Sequence, residues 1–103
     1  MTTRLSIPDL AARVRAEVSL RALAEASGVT WDRARSNAAR GEWWALSPFT
    51  TERTPSFHVV EPNGTDGWFK CFASGLGGSV VDFLMARDGL TASEAIRRLA
   101  EGH

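Results

Sequence analysis

The stretch LSPFTTERTPSFHVVEPNGTDGWFKCFASGLGGSVVDFL, residues 46–84, decides the fold of this 103-residue chain. It contains two segments rich in aromatic and β-branched residues, Phe57–Val60 and Gly67–Phe72, which are typical of β-strands. The turn-forming residues 61–66 separate them and predict an antiparallel hairpin. A glycine-rich loop at 74–78 follows and leads into a helical pattern.

The second predicted strand carries alternating residues whose side chains must point to opposite faces of a sheet. Trp68, Lys70 and Phe72 fall on one face, and Phe69 and Cys71 fall on the other. Because a lysine lies on the first face, we expect that face to be the more solvated one.

Four positions in this stretch have a two-plus-two spacing: Ser47 and Thr50, then Cys71 and Ser74. The same spacing written C-x2-H and C-x2-C would be a strong zinc signal. Only Cys71 could act as a thiolate ligand, so the sequence predicts no metal and no other cofactor. As a free cysteine, Cys71 is expected to be a small buried apolar side chain.

These segments resemble the N-terminal zinc-binding domain of bacterial replicative DNA primases. The pattern of that family is Cys-Pro-Phe-His-x-Glu-Lys-Thr-Pro-Ser-Phe, then Cys-Phe-x-Cys-Gly, then a glycine loop and an Asp-Phe helix. This chain follows it at residues 47–57, 71–75 and 77–83 and more loosely at 30–33 and 89–100. It departs from the pattern at three of the four ligands, so the resemblance makes Ser47, Thr50, Cys71 and Ser74 former metal-ligand positions.

The resemblance and the patterns together predict an α+β fold, in which a small antiparallel, metal-free sheet of zinc-ribbon type is flanked by N-terminal and C-terminal helix pairs. Helix caps support four helices. Their expected extents are residues 7–18, 20–26, 80–87 and 92–101, with N-caps at Ser6, Ser19, Ser79 and Thr91. We expect the N-terminal pair to pack onto the sheet.

A further hairpin is predicted before the decisive stretch, from Val29–Trp31 to Glu42–Leu46. The polar loop between these strands, residues 33–41, carries Arg33, Arg35 and Arg40. This loop is either a local positive feature of functional use or an ordinary solvated loop.

The composition, with 44% hydrophobic and 23% charged residues, indicates a single globular domain over residues 1–103. No apolar run approaches the length of a membrane span and no signal peptide is evident, so we expect a cytoplasmic protein without membrane contact. The net charge is zero, which is weak for a nucleic-acid binder. However, eleven of the twelve basic residues are arginine, whose planar fork suits phosphates and stacking on bases.

No nucleophile–histidine–acid set is evident, and His58 lies beside no acid or cysteine in sequence, so we predict a protein that is not an enzyme. The glycine loop could cradle a phosphate, but it lacks the P-loop lysine and is better interpreted as a turn. The resemblance implies a DNA-binding module that binds single-stranded DNA in a replication, phage-like or DNA-transfer context.

The candidate DNA-binding residues are the aromatic and basic side chains around the predicted sheet. They are Trp31, Arg33, Arg35, Arg40, Trp43, Trp44, Arg53, Lys70 and Phe72. An alternative use of the same aromatics is core packing. The alternative function is a protein–protein adaptor that docks on a replication or DNA-packaging component through exposed aromatic side chains.

Overall fold

The structure, a computed structural model, describes residues 6–51 and 53–102. Its helices are α1 (Ile7–Glu17), α2 (Leu20–Ala26), α3 (Val80–Asp88) and α4 (Ala92–Ala100). Its strands are β1 (Glu42–Ala45), β2 (Phe57–Val60), β3 (Trp68–Cys71) and β4 (Gly77–Gly78), with a 3-10 turn at Ala38–Arg40 before β1. The predicted α+β class is therefore confirmed. Within the described ranges, no helix is both long and apolar enough to cross a bilayer.

The predicted caps begin the helices as expected. The Ser6 side chain accepts a hydrogen bond from the backbone N–H of Asp9, and that of Ser19 accepts one from the N–H of Ala22. Complete capping boxes begin α3 at Ser79 and α4 at Thr91. Each of these caps joins residues that are two or three positions apart, which is why the sequence alone locates them.

The four strands form one antiparallel sheet in the order β1-β2-β3-β4. Trp44 lies opposite His58 in the register, and His58 lies opposite Lys70. The inner face of the sheet carries buried residues from three strands: Ala45, Phe57, Val59, Phe69 and Cys71. The outer face carries the alternate residues.

Two predicted elements differ in the structure. Val29–Trp31 is not a strand, because only Trp31 bridges to β1, at Ala45. The side chain of Asp32 accepts hydrogen bonds from the N–H groups of Ala34 and Arg35, and this local turn diverts the chain from the ladder. The glycine loop, expected as a bend, contains the short strand β4, which pairs with Phe69 and Lys70.

Four phenylalanines form the centre of the core. Phe57 and Phe69 on the sheet pack against Phe83 on α3, with ring centroids 5.5 to 5.8 Å apart. Phe49, from the loop after β1, contacts all three of these rings at 5.5 to 6.1 Å. The rings meet at tilted or edge-on angles, which are favoured geometries for aromatic pairs.

The N-terminal helices pack mainly on the C-terminal helices rather than on the sheet, which corrects the expectation above. Helix α1 contacts α3 and α4, and α2 contacts α3. The reason is that α3 already covers the short inner face, where Phe83 packs on Phe57. The apolar stripe of α1, which buries Ala11 and Val14, therefore packs against α3 and α4.

Glu61, directly after β2, ties α2 to the sheet. Its carboxylate is buried and accepts hydrogen bonds from the Ser19 hydroxyl and the Leu20 N–H, both at 2.6 Å. A negative group at a helix N-terminus is favoured by the free N–H groups and the helix dipole. Gly67 packs so closely beneath it that an added Cβ would lie 2.5 Å from the Glu61 Oε2 atom.

We predict that Phe57→Ala lowers the free energy of unfolding by roughly 3–5 kcal/mol, because the ring is fully buried among four other aromatic rings. Urea denaturation of the variant measures this. Phe72→Ala is the matched control, because that ring is 61% exposed and should change stability little. A Phe57→Ala variant as stable as the Phe72→Ala variant would contradict the assignment of Phe57 to the fold.

We also predict that Glu61→Gln lowers the free energy of unfolding by about 1.5–3 kcal/mol, since the neutral amide replaces a charge-assisted acceptor at the start of α2. The comparison variant is Glu101→Gln, which alters an exposed glutamate at the end of α4. Equal melting temperatures for the two variants would show that Glu61 does not hold α2.

Candidate nucleic-acid interface

The outer face of the sheet remains uncovered and carries large side chains. Trp68 and Phe72 are 49% and 61% exposed, and Leu46, just past β1, is 49% exposed. Lys70, on β3, lies between Trp68 and Phe72 in sequence and is half-buried. The alternation expected for this strand is therefore what the structure shows.

The aromatic side chains of this face touch one another across three strands. The Trp44 ring stacks on His58 with centroids 4.1 Å apart and on Phe72 with centroids 5.8 Å apart. The Trp68 ring meets His58 edge-on at 5.8 Å. We call Trp44, His58, Trp68 and Phe72 the outer aromatic cluster. Its exposed members, Trp68 and Phe72, offer the most ring surface to a partner.

Cationic side chains surround this cluster. The Lys70 ammonium donates a hydrogen bond to the Gly75 carbonyl at 3.3 Å, which uses one of its three N–H groups. Arg33 and Arg35 lie in the segment that runs beside β1, bridged to it at Trp31 and again at Asn37. This segment lies along the β1 edge of the sheet, and its Ser36 hydroxyl accepts the N–H of Trp44 at 2.9 Å, so Arg33 and Arg35 lie near that edge in the chain.

The three predicted arginines of the loop are exposed, as is Arg53 in the connection between β1 and β2. Arg35 pairs with Asp32 at 3.6 Å. Arg40 ends the 3-10 turn, one residue before the left-handed Gly41. Solvent-exposed pairs of this kind are weak, so the Arg35–Asp32 pair would give way readily to a phosphate.

Trp31 and Trp43 do not join the other candidate residues. Their rings are 6.4 Å apart on the inner side of the sheet, where Trp31 stacks on Phe57 at 6.3 Å. The Arg21 guanidinium of α2 lies 4.8 Å from the centre of the Trp43 ring, a cation–π contact. Adjacent residues of a strand point to opposite faces, so Trp43 and Trp44 are necessarily separated.

Sequence reasoning left Trp68, His58 and Leu46 out of the candidate residues. Alternation placed Trp68 beside Lys70 and Phe72, and that signal was sufficient to include it. His58 joins the face because it lies opposite Trp44 and Lys70 in the sheet, and this register is known only once the strands are paired.

His58 lies within the outer face, with 12% of its side chain exposed and its Nε2 atom 3.8 Å from a Glu42 carboxylate oxygen. Burial disfavours the charged imidazole and lowers the pKa of His58, while the Glu42 charge raises it by less. The Nε2 atom is buried and has no hydrogen-bond partner among the described residues. The imidazole is therefore neutral at pH 7.

The four former metal-ligand positions come from two turns, around Pro48 and around Ala73. A hydrogen bond of 3.1 Å joins the buried Cys71 Sγ to Ser47 Oγ. Burial by itself would raise the pKa of Cys71, but hydrogen bonds with Ser47, Ser74 and Ser56 together outweigh it and lower the pKa of the thiol. The two turns thus meet at Cys71.

The model of the CHC2 zinc finger family matches residues 11–103. The chain belongs to the CHC2 zinc finger family. This match confirms the resemblance drawn from the sequence, and the family is a zinc finger rather than a catalytic domain.

Similar proteins include the DNA primases of three bacteria. The primase of Treponema pallidum is 43% identical over 60 residues, which cover 58% of this chain and 9% of that protein. The primase of Streptomyces coelicolor is 44% identical over 64 residues, which cover 62% of this chain and 10% of that protein. The primase of Escherichia coli is 42% identical over 59 residues, which cover 57% of this chain and 10% of that protein. The chain spans about a tenth of the length of these relatives.

A solved structure shares the fold of this CHC2 zinc finger. The crystal structure of the Aquifex aeolicus primase, comprising zinc-binding and RNA polymerase domains, matches with a TM-score of 0.70 and 22% identity. The match covers 90% of this chain and 21% of that chain.

The residues of this CHC2 zinc finger do not fit the zinc ion that the family name implies. Structural zinc sites use cysteine thiolates and histidine nitrogens, whereas this chain offers one thiol and the hydroxyls of Ser47, Thr50 and Ser74. Within residues 6–51 and 53–102, no group of three or more histidine, cysteine, aspartate or glutamate side chains is arranged to hold a metal ion.

We predict that the melting temperature falls as the pH is lowered from about 7.5 to about 5.5, in part because of His58. Its pKa in the folded protein is below the ordinary value near 6.5, so the unfolded state binds more protons in this window and stability declines with falling pH. His58→Phe keeps an aromatic ring against Trp44 but removes the titrating group. Thermal melts across this window should show a smaller decline for the variant, and an identical decline would exclude His58 as the cause.

Proposed function

We propose that this chain is a non-catalytic module that binds single-stranded DNA on the outer face of its sheet. One observation carries the proposal: two exposed aromatic rings, Trp68 at the start of β3 and Phe72 just after its end, lie on either side of Lys70 on the face that the helices leave uncovered.

Single-strand binding proteins combine aromatic platforms for bases with cations for the backbone. Trp68 and Phe72 would each stack on a base, while Lys70 between them would contact a phosphate. Trp44 and His58 would support the platform, since Trp44 stacks on both His58 and Phe72. Arg33 and Arg35 would extend the contact to the backbone beyond the β1 edge.

The neutral net charge of the chain is compatible with this role because the charges are unevenly placed. Acidic side chains such as Asp82 and Glu94 are used in capping boxes on the helices. The proposed DNA-binding surface contains Glu42 beside His58 and Asp32 paired with Arg35, so we expect weak to moderate affinity with a clear salt dependence.

The proposed context is DNA replication, a phage-like system or DNA transfer in the cytoplasm, because the similar proteins are DNA primases. The matched family is a zinc finger, and no set of catalytic side chains is apparent in the outer face. We therefore propose that the chain does not synthesise primers itself, and that a replication or DNA-packaging protein acts with it.

A protein–protein adaptor is the second candidate function. The observation that favours it is Leu46, an exposed aliphatic side chain just past β1 that lines a groove with Val29, Thr30 and Pro48 and is suited to an apolar protein surface and not to stacking on bases. A Leu46→Ser variant that no longer binds a partner protein, but still binds DNA as the unaltered chain does, would identify such a docking surface.

We predict that Trp68→Ala and Phe72→Ala each weaken binding of a single-stranded oligonucleotide by about 1–3 kcal/mol, the contribution of one stacked base. Lys70→Ala should instead reduce the magnitude of the salt slope by about 0.7, and the double replacement of Arg33 and Arg35 by alanine should reduce it by about 1.4. A fluorescence anisotropy titration with a labelled oligonucleotide at several salt concentrations measures both quantities.

Matched controls lie elsewhere on the surface. Leu76→Ala removes an exposed apolar side chain that lines a groove against α3, and Arg97→Ala removes an exposed cation of α4. Neither should alter affinity or salt slope. If the unaltered protein does not bind the oligonucleotide at low salt, the proposed function is wrong and the adaptor function takes its place.

A further inference from the structure

We propose that a hydrogen-bonded cluster of hydroxyl groups around one thiol, and not a metal ion, joins the two turns of this CHC2 zinc finger. The cluster consists of Ser47, Ser56, Cys71 and Ser74, and we call it the hydroxyl–thiol cluster. This inference is independent of the proposed function, because it concerns what holds the turns together and not what the sheet binds.

Ser47 is the centre of the first turn. It is a buried polar residue, 7% exposed, and its Oγ atom accepts the N–H of Phe49 at 3.0 Å while it contacts Cys71 Sγ at 3.1 Å. One hydroxyl therefore orders its own turn and also binds the second turn, 24 residues away. A zinc ion in this position would have made the same connection through two thiolates.

The second turn closes on the same thiol. The N–H of Gly75 bonds to the carbonyl of Cys71, and the Ser74 hydroxyl accepts the N–H of Leu76 at 3.3 Å. The Ser74 and Ser56 side chains contribute, with Ser47, to lowering the pKa of the Cys71 thiol. Ser47 of the first turn and Ser74 of the second therefore act on the same thiol, and the Ser47 contact is a direct hydrogen bond of 3.1 Å.

Thr50 is the exception among the four former ligand positions. Its Oγ1 atom is buried and has no hydrogen-bond partner among the described residues. An unsatisfied buried hydroxyl destabilises a fold, whereas a satisfied one stabilises it. Removal of the hydroxyl group should therefore lower the melting temperature at Ser47 but not at Thr50. In a metal site both residues would be ligands, and both substitutions would lower the melting temperature.

The aromatic core explains why the turns can dispense with a metal. Phe49 lies between Ser47 and Thr50 in sequence and packs against Phe57, Phe69 and Phe83. The first turn is thus anchored to the core by a large apolar side chain, and the hydrogen bonds need only set its orientation.

The first experiment measures the metal content of the unaltered chain, purified without a histidine tag. We expect no stoichiometric zinc by elemental analysis and no change in melting temperature on addition of a chelator. About one zinc per chain, together with a fall in melting temperature on chelation, would overturn the proposal.

The second experiment compares two small substitutions. Ser47→Ala should lower the melting temperature by roughly 4–8 °C, the shift expected for loss of about one hydrogen bond in a domain of this size. Thr50→Val, which removes the unsatisfied hydroxyl without changing the shape of the side chain, should leave the melting temperature unchanged or raise it. An equal decrease in both variants would contradict the hydroxyl–thiol cluster.

The third experiment restores the family's ligands by combining Ser47→Cys, Thr50→His and Ser74→Cys. Because the two turns already meet at Cys71, this variant should bind about one zinc per chain and acquire a melting temperature that falls on chelation. A folded triple variant without zinc would show that the turns have lost the ligand geometry. If the variant does not fold in the presence of zinc, that result also counts against retained geometry, while the first two experiments still test the cluster.

Discussion

The buried carboxylate of Glu61 is the contact on which the arrangement of layers depends. It lies at the end of β2 and binds the first N–H groups of α2, a helix that begins about forty residues earlier in the chain. Two glycines make room for it: Gly67 faces the carboxylate, and Gly41, whose carbonyl accepts the Glu61 N–H, packs on Pro62. With α2 held at this end of the sheet, the helices gather on one face and the other remains open.

This division gives the two faces of a short sheet different roles. The inner face contributes Phe57 and Phe69 to the core, and the outer face carries Trp68, Lys70 and Phe72. Successive residues of β3 therefore alternate between the core and the face that we propose binds DNA. The neutral net charge is compatible with that proposal, since ring stacking does not depend on net charge and only nearby cations need to meet phosphates.

The proposed hydroxyl–thiol cluster is a way for a metal-binding fold to persist with different chemistry. A structural zinc ion contributes about 10–16 kcal/mol to folding in small zinc fingers, far more than a few hydrogen bonds. In this chain, four packed phenylalanine rings and a layer of helices accompany the hydroxyl–thiol cluster. In the proposed metal-free form, the aromatic core would supply much of the stability and the polar contacts around Cys71 would orient the two turns.

The amino-acid sequence by itself determined the local features of this protein. The helix starts at Ser19, Ser79 and Thr91 were predictable because a cap involves residues within one turn, and the faces of β3 were predictable because side chains alternate with period two. The resemblance to primase zinc-binding domains also followed from contiguous motifs.

Only the tertiary structure decided which residues meet across long separations. The cap of α2 by Glu61, the burial of Trp31 against Phe57 and the stacking of Trp44 on His58 each join residues that sequence spacing does not relate. The N-terminal helices likewise packed mainly on α3 and α4, because the inner face of the sheet was already occupied. Such contacts depend on which apolar surfaces remain free once the other elements have packed. A local sequence pattern does not contain that information.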